Sequence, residues 1–434
     1  MYRTQDPKES FTAATRKLFA KPTFVILLTT AWIRMGFYEA LQPFGNLFLR
    51  DVGISYTNIG LLNLFYSLVI IIACLIGSYY SDLFPHRRSK FSAAHNIFWG
   101  IMCLFFSLTT DFWSALVVYV IAGVSWAFQP AARAYLLEHS GEQNHHFAMG
   151  FFSIYRLPLL FMFLLLLWLF KIYGFVLGIR IALVFTGSII IVMGLVRLMF
   201  LKDPQNKNTH RDFPSLSGMV KNNAQTLRFI LKIAPAFCLI TCIDGMSDQL
   251  YSFLIFFFLN EKAGLSEAEL LTGRLTLDIL SIPLILWLAF RINRSNGRRT
   301  FFLLYLIPCV TVGLLLVSLS HSVVPFVPNY FPVAFKKLAF LAYSIKYVSD
   351  FLWMLMLAPL AIKFVSRENV TKAIGISWLL VHISRLVAAP FAGGLYQQDN
   401  ITAILTAILA LNCVILILIL TLECEFNEKS KLLT

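Results

Sequence analysis

The sequence predicts an all-α polytopic membrane protein: twelve transmembrane helices in two pseudo-symmetric six-helix bundles. Three observations predict it. The 434 residues are 58% hydrophobic and only 13% charged, about half the charge of a soluble domain. Apolar runs of the length that crosses a bilayer, about 20 residues, recur along the chain at 24–48, 57–81, 91–110, 113–137, 150–171, 176–200, 230–258, 268–291, 301–320, 336–362, 373–396 and 400–422. Short motifs also return in the second half in the order in which they stand in the first.

The elements follow in chain order. Residues 1–23 are polar and basic, and ESFTAATRKLFAK (9–21) has the amphipathic pattern of a helix lying on an anionic leaflet. The apolar run behind it is interrupted by charge and lacks a small-residue cleavage site, so a removable signal peptide is not expected. The first bundle is expected over 24–200, a basic polar loop over 201–229, the second bundle over 230–422, and a tail over 423–434.

Charge sets the orientation. Of the 36 basic residues, 23 fall on the side of the membrane that holds both termini and six on the other (Arg50, Lys171, Arg180, Lys262, Lys336 and Lys337), with seven inside helices. That asymmetry is the positive-inside bias, so both termini are expected in the cytoplasm, at a plasma or inner membrane. The net charge of +14 is accounted for in this way and requires no nucleic-acid partner. Seven scattered cysteines without a CxxC pair imply neither a disulfide framework nor a zinc site. HSGEQNHH (139–146) reads as a solvated cytoplasmic loop, and Cys238 and Cys242 as packing residues.

The repeat is visible in five matches. GFYE (36–39) answers GMSD (245–248), DVGIS (51–55) answers KAGLS (262–266), and HRR (86–88) answers GRR (297–299), at offsets of 209, 211 and 211. QPAAR (129–133) and AMG (148–150) are answered by APLAIK (358–363) and AIG (373–375). In repeat-built membrane proteins the ligand site lies between the halves.

A charge at the centre of a membrane helix costs about 2.5–3.5 kcal/mol on insertion scales, so the intramembrane charges mark a use. They fall in the first (Arg34, Glu39), fourth (Arg133), fifth (Arg156), seventh (Asp244, Asp248), eighth (Arg274, Asp278), tenth (Lys346, Asp350) and eleventh (His382, Arg385) runs. Helical spacing puts Glu39, Gln42 and Asn46 on one stripe, and Thr241, Asp244, Asp248 and Ser252 on another. It also pairs Arg274 with Asp278, and Lys346 with Asp350 beside Trp353. Arg34 stands about 140° around the helix from Glu39 and is expected against a neighbouring helix. Such stripes line a shared polar cavity. His382 with Trp378 and Arg385 forms a candidate substrate-contacting face. Glu39, Asp244 and Asp248 lack a basic partner at helical spacing and are the proton-coupling candidates. The substrate-cavity candidates are Gln42, Asn46, Arg156, Asp278, Arg274, Lys346, Asp350, Trp353, His382 and Arg385.

These residues resemble the major facilitator superfamily, over nearly the whole chain. The most specific piece is SYYSDLFPHRR (78–88), which is similar to that family's G-x-x-x-D-R-x-G-R-R loop. Asp82, Arg87 and the adjacent Arg88 match it, while Ser78 and Pro85 replace glycines and Leu83 a basic residue. The resemblance implies that Asp82, Arg87 and Arg88 brace the closed cytoplasmic side. It also implies that helices three, six, nine and twelve lie outside the cavity. RSNGRR (294–299) has Arg294 where the second-half acid would stand. The G-P-x-x-G-G run of the family's antiporters is missing from the fifth helix, which weakens drug antiport.

The expected function is secondary transport by alternating access, not enzymatic catalysis. The cargo is a small polar organic anion or zwitterion, carried by proton-coupled symport; proton-coupled multidrug efflux is the alternative. No cofactor or metal is expected, the driving gradient is of protons or, as the other candidate, sodium, and the chain is expected to act as a monomer. The chain contains no G-x-x-x-x-G-K-[ST] run, so ATP does not drive it directly.

Overall fold

A computed structural model describes residues 11–140, 145–152, 156–203, 216–233, 235–292 and 370–432, with short pieces at 306–307, 309–313, 339–344 and 346. The amphipathic start forms α1 (Phe11–Phe19), which buries Leu18 and sets Phe19 edge-on against Phe24 and Phe151. The first span is broken into α2 (Pro22–Leu41), a 3-10 turn (Gln42–Phe44) and α3 (Gly45–Asp51). Pro43 has no N–H for the helical ladder, so the break falls there. The second and third spans are α4 (Tyr56–Leu83), capped by the Ser55 hydroxyl, and α5 (Arg88–Ser107).

The fourth span is α6 (Phe112–Ser125), opened by an Asp111–Ser114 capping box, and α7 (Gln129–Ser140) after a short turn. In that box the Ser114 N–H donates to the Asp111 carboxylate and holds its pKa below the usual aspartate range. α8 (His145–Phe152), α9 (Arg156–Tyr173) and α10 (Phe175–Phe200) complete the first half. The second half contains α12 (Pro235–Phe257) with a π-helical turn at Phe258–Lys262, α13 (Glu267–Ile292), α14 (Val370–Gln397) and α15 (Ile401–Leu432).

Two boundaries differ from the sequence reading. A separate helix, α11 (Leu216–Ile233), occupies the second part of the expected loop, so the seventh span starts at Pro235 instead of 230. α15 runs through the expected tail to Leu432. Among the described residues seven helices are long and apolar enough to cross a membrane, and α9 supplies a shorter one, Pro158–Tyr173. The runs expected at 301–320 and 336–362 lie mostly outside the described residues, as does RSNGRR.

The halves meet along α4 and α14, which approach backbone to backbone. A Cβ on Gly60 would lie 2.8 Å from the Ala389 carbonyl oxygen, and one on Gly393 2.6 Å from that of Tyr56. Any side chain at either position would push the helices apart. α12 packs on α14 in the same way, with a Cβ at Gly245 falling 2.5 Å from the Val381 oxygen. That contact explains the glycine of GMSD. Outward faces of α6, α10 and α15 expose Trp113, Val117, Val192, Met199 and Ile417, the apolar surface that faces hydrocarbon.

One buried charge is structural. Arg197 of α10 is 2% exposed and donates to Thr30 Oγ1 (2.8 Å), the Leu27 carbonyl (3.2 Å), and the Ser92 hydroxyl (3.0 Å) and carbonyl (3.2 Å). Its planar fork ties α10 to α2 and α5 through neutral oxygens.

Candidate functional site

Between the halves lies a cavity of about 480 Å³. Glu39, Gln42 and Asn46 line it from the broken first span, and Asp244, Asp248 and Ser252 from α12, so both predicted stripes converge on one space. Thr241 instead turns its hydroxyl to the Phe237 carbonyl and is fully buried. Arg274, Tyr343 and Arg385 complete the second-half wall.

Asp248 has partners that its own helix does not reveal. Arg385 Nη2 donates to its Oδ2 at 2.5 Å, and Lys346 Nζ stands 3.9 Å from its Oδ1 and 5.0 Å over the Tyr251 ring. Lys346 therefore meets an aspartate on α12; its expected partner Asp350, like Trp353, lies outside the described residues. The predicted pair of Arg274 and Asp278 does form, at 3.1 Å, and Arg274 also donates to the Tyr343 hydroxyl at 2.8 Å. Asp278 is fully buried behind Arg274 and does not line the cavity. Arg156 opens α9, and its side chain is outside the described residues.

Two expectations need correction, for His382 and for the outer spans, and that for Arg34 gains an addition. His382 is not on the cavity surface: it is fully buried behind Trp126 and Trp378, with Nδ1 3.4 Å from Ser67 Oγ. Trp378 and Arg385, on either side of it in sequence, do line the cavity, so the helical face is rotated slightly past the histidine. Arg34 sits 6.0 Å over the Trp99 ring of α5, as its angle from Glu39 requires, yet it also lines the cavity. The third and sixth spans are not excluded from the wall, because Trp99, Met102 and Phe106 of α5 and Leu183 of α10 reach it.

The sequence reading also omitted residues. Arg133 appears there as a membrane charge but not among the site candidates. It lines the cavity 4.8 Å over the Trp378 ring, one helical turn from Gln129. The spacing within QPAAR contained that signal. Tyr38, Trp99 and Trp126 line the cavity too, and an isolated aromatic in an apolar helix has no periodicity that distinguishes it from core. The described lining thus carries five arginines (34, 133, 197, 274 and 385) against three carboxylates (Glu39, Asp244 and Asp248).

The halves touch at both ends of the α4–α14 seam. At one end Asp82 takes Arg88 Nη2 at 2.7 Å and the first backbone N–H groups of α14, Thr371 at 3.3 Å and Lys372 at 3.0 Å. Asp82 thereby acts as an N-terminal anion for a helix of the other half. Arg88 also pairs with Glu138, whereas Arg87 lies over the Phe84 ring at 5.5 Å and has no contact with Asp82 among those the described residues show. Ser78 packs against Gly375, whose Cβ would lie 2.7 Å from that of the serine; the glycine absent at 78 stands on the facing helix. α11 adds Asn223 Nδ2 to the Leu75 carbonyl and Asn222 Oδ1 to Lys372 Nζ.

At the other end Glu261 joins the halves. Its Oε1 accepts from Arg50 Nη1 and the Tyr56 hydroxyl, each at 2.7 Å, and its Oε2 from the Tyr396 hydroxyl at 2.8 Å. Among the described residues no group of three or more His, Cys, Asp or Glu could hold a metal ion. His139 turns Nδ1 to the Tyr135 carbonyl.

A helical membrane protein whose halves enclose a charged central cavity and touch at both ends has the architecture of a secondary transporter. The profile of the Major Facilitator Superfamily matches residues 26–348, and the chain belongs to that superfamily. Among solved structures the chain is similar to the human organic anion transporter MFSD10 (TETRAN), at 13% identity and a TM-score of 0.66, over 94% of this chain and 99% of that one. It is also similar to a mutant of the nucleoside transporter NupG, at 15% identity and a TM-score of 0.62, over 93% and 100% of the two chains. At these identities the likeness is one of fold. No curated protein sequence matches the chain.

Proposed function

We propose that this transporter is a proton-coupled symporter of a small polar organic solute bearing an anionic group, alone or as part of a zwitterion. The observation that carries the reading is the excess of arginines over carboxylates on the cavity wall. An anion brought into such a wall gains charge-assisted hydrogen bonds, while a lipophilic cation meets net repulsion, which disfavours multidrug efflux. Glu39 and Asp248 come from repeat-related positions on opposite walls. A carboxylate that takes up a proton no longer carries a bare charge through the membrane barrier, and one proton per anion leaves the charge of the loaded protein unchanged. With both termini cytoplasmic, as the basic loops favour, Glu261 guards the outer end and Asp82 the inner. The chain works as a monomer in a plasma or inner membrane.

The test is uptake into proteoliposomes with an imposed pH gradient, over a panel of labelled organic anions, zwitterions and cations. Anions should accumulate and an ionophore should abolish the accumulation. Glu39→Gln should lose accumulation but retain exchange at equal pH, which needs only reorientation of the loaded protein. Uptake of anions indifferent to the pH gradient would refute proton coupling, and extrusion of cations alone would return the efflux reading.

A further inference from the structure

The cavity lining includes a set of polar groups, from α5, α7 and α14, that the described residues leave unsatisfied. Arg133 Nη1, Trp378 Nε1, Trp99 Nε1 and Gln129 Oε1 are all buried and all lack a hydrogen-bond partner among the described residues, and all four side chains line the cavity. Arg133, Trp378 and Trp99 are 4%, 5% and 6% exposed. Native proteins leave few buried donors without a partner. Three donors and one acceptor lining a single cavity are the complement of a ligand rich in acceptors.

Arg133 differs in this from four other arginines. Buried Arg88 and Arg274 and half-buried Arg385 each pair with an aspartate, and buried Arg197 is met by neutral oxygens. No carboxylate pairs with Arg133 among the described residues. Its guanidinium is held over the Trp378 ring at 4.8 Å, a cation–π contact that fixes its plane without occupying its N–H groups.

The surroundings are aromatic. Trp126 packs on Trp378 at 4.8 Å between ring centroids, and Tyr38 on Trp99 at 4.4 Å. Such rings receive a flat ring edge-on or offset, and the volume suits a small organic ligand.

We propose that Arg133, Trp378 and Trp99 form the anchoring subsite for the carboxylate of an aromatic carboxylate, whose ring lies among Tyr38, Trp99 and Trp126. This rests on the anion reading of the cavity and names the class of solute. Gln129 takes a hydroxyl or N–H on that solute.

The test is calorimetric binding to the purified full chain in nanodiscs, with benzoate, its neutral isostere benzamide, phenyl phosphate and acetate as probes. Benzoate should bind at least tenfold more tightly than benzamide and acetate. Arg133→Gln should weaken benzoate at least thirtyfold. Arg133→Lys should recover part of that loss, since it restores charge but not the two-pronged donor. Trp378→Phe, which keeps an aromatic face under Arg133 while removing the indole N–H and its fused ring, should cost about three- to tenfold, and decides the matter if Arg133→Gln does not give monodisperse protein. Benzoate binding unchanged in Arg133→Gln, or in Trp378→Phe, overturns the subsite while leaving anion transport standing. Tighter binding of phenyl phosphate than of benzoate overturns the carboxylate assignment. Failure of the parent protein to bind any of the anions overturns both the subsite and the anion reading.

Discussion

Glu261 offers a test of how the two halves are held together, because its carboxylate is bonded only across the seam or to groups beside it. Glu261→Ala removes three acceptor contacts, from Arg50, Tyr56 and Tyr396. The Arg50 and Glu261 side chains are 23% and 24% exposed, so solvent screens the ion pair and its share is about 0.5–1 kcal/mol. The Tyr56 hydroxyl adds about 1 kcal/mol, while Tyr396 stands on the same half as Glu261 and holds its carboxylate in place. The cross-half total of roughly 1.5–2 kcal/mol exists only while this end is shut, so its loss should raise the open population about 10- to 30-fold. Tyr56→Phe removes one cross-half contact and should give about fivefold.

The assay is the rate at which an impermeant maleimide labels a single cysteine at Ser252, on the cavity wall, in a background without the native cysteines. Labelling from the Glu261 side requires that end to open, so its rate follows the open population. The order should be parent, Tyr56→Phe, then Glu261→Ala. If both variants label within twofold of the parent, the Glu261 cluster does not hold its end shut. If Tyr56→Phe exceeds Glu261→Ala, the carboxylate is not the centre of the cluster.

Three further outcomes follow from the geometry. Single cysteines at the exposed positions Thr57, Ala268 and Gln398 should react with impermeant reagents on intact cells, and ones at Lys90 and Lys221 only after permeabilisation; the reverse pattern would invert the orientation. Asp82→Asn keeps an acceptor oxygen near the α14 N–H groups but removes the negative charge that faces the α14 N-terminus across the seam, a loss of up to about 2 kcal/mol in the state closed at that end. Transport should slow roughly tenfold or more with substrate affinity within about twofold, and an equal loss of binding would argue against a gating role. Arg197→Lys cannot reproduce four contacts to two helices and should cost about 2–3 kcal/mol. It should be read as a lower melting temperature with unchanged affinity in the folded fraction; altered affinity at unchanged melting would place Arg197 in substrate binding.

The membrane spans and the two polar stripes were legible in the sequence because both depend on one helix at a time. Hydropathy fixes that a segment crosses, and a period of 3.6 fixes which residues share a face. Glu39 with Gln42 and Asn46, and Asp244 with Asp248 and Ser252, needed nothing more. What one helix cannot state is its rotation about its own axis relative to its neighbours. His382 and Arg385 are three residues apart on one face, yet a modest rotation of α14 buries the first and exposes the second to the cavity. The same ignorance hid the partner of Asp248. Its spacing on α12 contains no base, while Arg385 and Lys346 lie 137 and 98 positions away and meet it only once three helices are packed.

The loop signature shows how a departure in sequence can be compensated in space. A glycine in a helix contact allows two backbones to approach, and that need belongs to the contact, not to either helix. Ser78 stands where the family's pattern has glycine, and the facing residue is Gly375, against which Ser78 packs directly. The approach is kept by exchanging small and larger residues across the seam. With α4 and α14 at that distance, Asp82 reaches the first N–H groups of α14. The carboxylate then does for a helix of the opposite half what an N-terminal acid does for its own. Separating the halves at this end would strip those N–H groups of their acceptor while Arg88 kept both Asp82 and Glu138 within its own half. Opening there therefore has an electrostatic cost set by Asp82, just as opening at the other end has one set by Glu261. In the cycle proposed above one of these carboxylates is released at a time, and each release exposes helix N–H groups at one end or the Arg50 guanidinium at the other to solvent.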